Sequence, residues 1–133
     1  MAIILDADIL IRGEKGSFDL RGWLATRPDD RYEVAAITVA ELWHGVERAT
    51  APHRARREQY LEVVLAPIPI IPYTEQTARE HARIWAELEA AGKRIGFYDI
   101  IVAATALERG SDVATFNRKH FDVVKGLNVI EPT

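Results

Sequence analysis

The chain has no cysteine among its 133 residues. That absence excludes disulfides, thiolate metal sites and cysteine nucleophiles, and it suits a reducing, cytoplasmic setting. Long hydrophobic runs are missing as well. No segment approaches the roughly 20 apolar residues of a membrane-spanning helix, so no membrane association is expected. The opening "MAIILDADILIRG" has no basic stretch ahead of its apolar residues, and an acidic pair interrupts them, so it does not read as a secretory signal. A basic excess is also lacking. The net charge is −3, whereas proteins that hold nucleic acid by bulk electrostatics carry a positive balance. Local clusters remain: "HRARR" at 53–57, Lys93 with Arg94, and "RKH" at 118–120. The simplest reading of such clusters is a solvated helix face, so any nucleic-acid role has to rest on local patches and a site. No G-x-S-x-G, H-E-x-x-H or phosphate-loop pattern occurs, which leaves no hydroxyl, zinc-protease or nucleotide-cradle signature.

What is present is a chain that packs. Hydrophobic residues form 48% of it, too many for a disordered segment and enough for one domain over 1–133. Short β-like runs alternate with helical ones. "AIIL" (2–5) reads as a buried strand and "EVAAIT" (33–38) as a second; "IPII" (68–71) is a short strand that Pro69 places at an edge; "DVAT" (112–115) and "NVIE" (128–131) are late strands. Between them fall a weak helix at 19–27 and a helix at 38–49 with Val39, Leu42, Trp43 and Val46 on one side. A third helix starts at Pro52 with Tyr60, Leu61, Val64 and Leu65 as its stripe. A long helix at 74–92 stops at Gly92, and "YDIIVAATALERG" forms a buried helix after it. Such alternation predicts an α/β fold with a parallel sheet and helices on both faces.

In a parallel sheet the strand C-termini and the helix N-termini share one edge, and ligands bind there. Asp6 follows the first strand, Glu41 lies one turn into the helix after the second, Asp99 opens the buried helix, and Asn117 follows "DVAT". All four fall at that edge, with Thr38 beside them; Asp112 falls at the opposite edge and has no role. Capping is the competing explanation. Thr38-x-x-Glu41 fits a capping box, and Asp6 and Asp99 each fit an N-cap. Capping does not require three separated acids to converge, however. A gathered acidic pocket repels itself unless a cation enters it. Mg²⁺ is hard, oxygen-seeking and satisfied by few carboxylates, and Mn²⁺ can replace it. Metal-assisted phosphodiester hydrolysis is the implied chemistry, with Asp6, Glu41 and Asp99 as ligands and Asn117 alongside. Of the four histidines, His81 is expected at the surface, and His44 is a candidate to support Glu41 from the same helix face.

At these residues the chain resembles the PIN-domain family, and in particular the VapC ribonuclease toxins of toxin–antitoxin pairs. "IILDADILI" carries Asp6, "AAITVAELWHGVERA" carries Glu41, "GFYDIIVAATAL" carries Asp99, and "VATFNRKHF" matches the terminal strand and turn. The resemblance implies a three-layer α/β/α sandwich, a Mg²⁺- or Mn²⁺-dependent endoribonuclease acting on structured RNA such as transfer or ribosomal RNA, a homodimer, and a cognate VapB-type antitoxin. Two positions depart from the pattern: Asp8 stands where Asn or Ser is frequent, and Asn117 stands at the fourth acidic position. Fewer charges at the fourth position favour one metal over two. The acidic pocket also suits an antitoxin arginine, with the helices bearing Trp43 and Tyr60 as walls for the rest of an inhibitory helix. Rival readings are a haloacid-dehalogenase-like phosphatase using Asp6-x-Asp8, a receiver-like phosphoacceptor domain, and a non-catalytic PIN-like binding module.

Overall fold

The computed structural model describes residues 1–133. The first strand, β1 (Ala2–Leu5), leads into α1 (Ala7–Lys15) and α2 (Leu20–Ala25). Then come β2 (Arg31–Ala35), α3 (Ala36–Arg48), α4 (Ala51–Leu65), β3 (Ile70–Ile71), α5 (Glu75–Ala90), α6 (Phe97–Arg109), β4 (Asp112–Ala114), α7 (Arg118–Phe121) and β5 (Val129–Ile130). All four strand pairings are parallel, in the order β3-β2-β1-β4-β5. Pro69 precedes β3 at the sheet edge, as its missing N–H requires.

Side chains on the strands alternate between two cores. Ile3, Leu5, Val34 and Ala114 pack with α1, α2, α3 and α4; Ile4, Ala35, Val113 and Val129 pack with α5, α6 and α7. The period of two explains why strands buried on both faces read as unbroken apolar runs. The result is the expected α/β/α sandwich.

The strand order also fixes where a ligand crevice lies. From β1 the chain moves outward through β2 to β3 on one side. It then crosses back through α5 and α6 to β4 on the other side of β1. This reversal opens a crevice between the C-terminal ends of β1 and β4. Asp6 extends the ladder there, its N–H donating to Ala114 O at 3.0 Å. Gly110, at φ 65°, turns α6 into β4; its N–H caps Ala106 and Leu107.

Several boundaries differ from the sequence reading. α1 is an additional helix: Asp6 caps it through the Ala7 N–H, and Tyr60 Oη donates to Leu10 O at 2.9 Å from α4. α7 is a further one-turn helix after β4. β2 ends at Ala35, where its pairing with β3 ends, and α3 begins at once at Ala36. Residues 36–38, read as strand, are therefore helical.

Candidate active site

The early start of α3 changes the role of Thr38 and Glu41. The cap of α3 is Ala35, with no side-chain bond, so the Thr38–Glu41 capping box does not form. Both residues lie within the helix, Glu41 in its second turn. Thr38 is fully buried, and neither Thr38 Oγ1 nor Glu41 Oε1 has a hydrogen-bond partner. Nothing in the local structure employs this carboxylate. Burial, and then the charges of Asp6, Asp99 and Asp8, push Glu41 up to about 7.

Asp6 is both the cap of α1 and the centre of the crevice. Its Oδ1 accepts from Ala7 N–H at 2.9 Å, and its Oδ2 accepts from Thr115 Oγ1 at 2.8 Å. Burial and the neighbouring Asp8 charge push it up to about 7, against the opposing pull of the Thr115 hydrogen bond. Asp8, one residue into α1, is raised as well, chiefly by burial. Its Oδ2 accepts from Phe116 N–H at 3.0 Å, which ties α1 to the turn after β4, while its buried Oδ1 has no partner.

Asp99 sits in the first turn of α6, but the cap is Gly96, so capping does not explain this acid either. Its Oδ2 lies 2.8 Å from His120 Nδ1. The same nitrogen lies 2.8 Å from the Asn117 amide. One ring nitrogen cannot donate to Asp99 and accept from Asn117 at once. His120 Nδ1 thus stands between the Asp99 carboxylate and the Asn117 amide. Asn117 therefore reaches Asp99 through His120.

All four expected residues, Asp6, Glu41, Asp99 and Asn117, come to one crevice, and Asp112 starts β4 at the far edge. His44 is exposed on α3 and is not brought in. His81 is half-buried rather than on the surface, bonded to Tyr73 Oη at 2.9 Å and stacked on Trp85. Two site residues are additional. Thr115 is the residue just beyond β4, fully buried, and it also accepts from Asn117 N–H at 2.9 Å. His120, read as part of a solvated basic cluster, faces Asp99. Its three-residue spacing from Asn117 on a helical turn was the available signal.

No group of three or more Asp, Glu or His side chains is arranged to grip one metal ion directly. The donor set nevertheless fits a hard divalent cation. It is all oxygen, and Asp8 Oδ1 and Glu41 Oε1 are buried without partners. Mg²⁺ keeps most of its waters and is held through one or two carboxylates. An open cavity of about 710 Å³, lined by Glu41, Gly96, Phe97, Tyr98, Asp99 and Ile101, gives access to the acids.

A parallel α/β/α sandwich with oxygen ligands clustered at its crossover reversal defines an acidic-centred domain. The PIN-domain family profile matches residues 3–127. Ribonuclease VapC1 of Rickettsia felis is 30% identical over 131 residues, 98% of this chain and 96% of its own. The tRNA(fMet)-specific endonuclease VapC of Salmonella typhimurium is 31% identical over 72% of this chain and 71% of its own. The structure of DNA-bound VapBC from Salmonella typhimurium superposes with a TM-score of 0.89 at 26% identity, covering 98% of each chain. The chain belongs to the PIN-domain family, within its VapC group.

Proposed function

We propose that this chain is a Mg²⁺- or Mn²⁺-dependent endoribonuclease and the toxin of a toxin–antitoxin pair. The observation that carries the metal-dependent reading is Glu41: a half-buried helical carboxylate with a partnerless oxygen, facing a cavity shared with Asp99. The ribonuclease and endonuclease names of the relatives support RNA as substrate, transfer RNA among the candidates. Family membership leaves no place for the phosphatase and receiver readings, and the partnerless carboxylates favour an active centre over a purely binding module. No helix is long and apolar enough to cross a membrane, and a cytoplasmic site of action agrees with an RNA target.

Asp6, Glu41 and Asp99 would hold the ion. A bound Mg²⁺ or Mn²⁺ supplies charge stabilisation at the phosphoryl oxygens and lowers the pKa of a bound water. The chain's own contribution is to hold the acids in place. Ala7 N–H and Thr115 fix both oxygens of Asp6; His120, with Asn117 behind it, holds Asp99; Phe116 N–H anchors Asp8.

A VapB-type antitoxin is the proposed partner, as structural neighbours are VapBC complexes. An apolar groove of about 860 Å³ runs between α2 and α4, with Leu20, Leu24, Tyr32, Tyr60 and Val63 among its walls. It suits an inhibitory helix. The helix bearing Tyr60, α4, walls this groove, while α3, which bears Trp43, lines with α4 a smaller cavity of about 210 Å³ that includes Glu41. A second copy of the chain is the other proposed partner, as a homodimer.

The test is cleavage of transfer RNA by the purified protein with Mg²⁺, with Mn²⁺ and with chelator. Cleavage that disappears with chelator and in folded Asp99→Asn is the expected result. Undiminished cleavage in chelator removes the metal; a folded wild-type protein inert with both ions removes the ribonuclease.

A further inference from the structure

Two aromatic side chains beside the acidic centre have no part in the core. α6 buries Ile100 and residues 102–106, yet its first two residues, Phe97 and Tyr98, are 62% and 53% exposed. Both line the same cavity as Glu41 and Asp99. Phe97 does not hang free. Trp85 of α5 meets it edge-on, centroids 5.6 Å apart at 83°, and Trp85 in turn stacks on His81. The ring is braced from behind and open in front.

Next to Phe97 lies a recess of about 330 Å³ that contains Lys93 and Arg94, with Glu89 as its acid. Neither cation has a carboxylate within ion-pair distance. Eight of the nine side-chain ion pairs of this chain are made by seven other arginines, which leaves these two adjacent cations unpaired beside the exposed rings. On a chain of net charge −3 they make a local positive rim. Exposed rings with flanking cations are the elements of a single-strand platform: bases stack on the faces, and phosphates meet the cations.

We propose that Phe97 and Tyr98 form a stacking surface for the unpaired bases of an RNA strand beside the cleavage site, with Lys93 and Arg94 holding its backbone. The proposal rests on the ribonuclease reading and adds to it the residues of this chain that would hold the strand beside the acids. The cavity is continuous from Phe97 and Tyr98 to Glu41 and Asp99, so a strand held at these acids has the rings within reach, which favours RNA over a second protein chain.

The experiment measures binding of a mixed-sequence single-stranded RNA oligonucleotide to full-length protein in a catalytically silent Asp99→Asn background. Phe97→Ala and Tyr98→Ala should each weaken binding about tenfold, within the range found for single stacked bases. Phe97→Trp and Tyr98→Phe should keep it, which separates stacking from loss of fold. The same oligonucleotide made abasic should bind parent and alanine variants equally. Lys93→Ala with Arg94→Ala should flatten the salt dependence. With Asp99 intact, the alanine variants should raise KM about tenfold and leave kcat within about twofold. Wild-type cleavage accompanied by unaltered RNA binding in the alanine variants overturns the stacking surface and leaves the ribonuclease standing. Alanine variants that convert a dimer to a monomer while binding RNA normally assign the face to a second copy instead. A folded wild-type protein that neither binds nor cleaves RNA overturns both.

Discussion

Thr115 Oγ1 donates a 2.8 Å hydrogen bond to Asp6 Oδ2 across two adjacent central strands. The bond stabilises the ionised carboxyl and works against the burial that raises it to about 7. Thr115→Val keeps the shape and removes the donor. Asp6 should then ionise at still higher pH, so the rising limb of the activity–pH profile should move upward. Stability should fall by about 1–3 kcal/mol, because Asn117 N–H also loses its acceptor. Thr115→Ser should restore the profile. An unmoved limb in folded Thr115→Val would show that Asp6 ionisation does not govern activity.

Glu41 supplies a linkage test. Its folded value, about 7, lies above the 4.5 of the free side chain. Such a group contributes stability that is fully present below its unfolded pKa and is lost as pH rises through about 7. In chelator, therefore, wild-type melting temperature should fall between about pH 5 and pH 8, and Glu41→Gln should fall less. Added Mn²⁺ should restore the wild type at pH 8 more than the variant. Since no capping box exists here, Glu41→Gln should show no cap loss while activity collapses. Parallel melting curves with normal cleavage would assign Glu41 a passive role.

Asn117→Asp should tighten Mn²⁺ binding severalfold, measured by calorimetry. It adds a carboxylate and places an oxygen permanently where the Asn117 amide meets His120 Nδ1. Unchanged affinity would mean that this position acts on His120 alone.

Two glycines should respond in opposite directions to alanine. A Cβ at Gly45, inside α3, meets nothing within 4 Å, so Gly45→Ala should stabilise by about 1 kcal/mol, a rise of roughly 4 °C in melting temperature. A Cβ at Gly13 comes 2.9 Å from Tyr60 Oη and 3.2 Å from Leu20 Cβ. Gly13→Ala should destabilise and strain the Tyr60–Leu10 bond. A stabilised Gly13→Ala would mean that α1 and α4 separate readily.

The acids at strand ends and helix starts were legible because burial imposes its period on the sequence. Asp6 interrupts a run that fills both faces of β1, and Asp99 precedes six buried positions of α6. α1 was hidden because "ADILI" carries β-branched residues like a strand. Its helical state comes from the Asp6 cap and from packing on α4, which no local pattern encodes. Thr38 and Glu41 have capping-box spacing, but β2 runs out of partner at Ala35 and the helix starts before the box can form. His120 and Thr115 were missed for a third reason: each matters only through a residue far along the chain, Asp99 and Asp6 respectively.

The sheet order has a consequence for when this enzyme can exist. β1 emerges first in synthesis, yet its neighbour at the crevice, β4, lies more than a hundred residues later. Asp6 has no Thr115, and Asp99 no His120, until that late strand docks. Such distant pairing forms slowly. A growing or clipped chain therefore carries the acids but not the assembled centre, which exists only once the last third of the chain has docked.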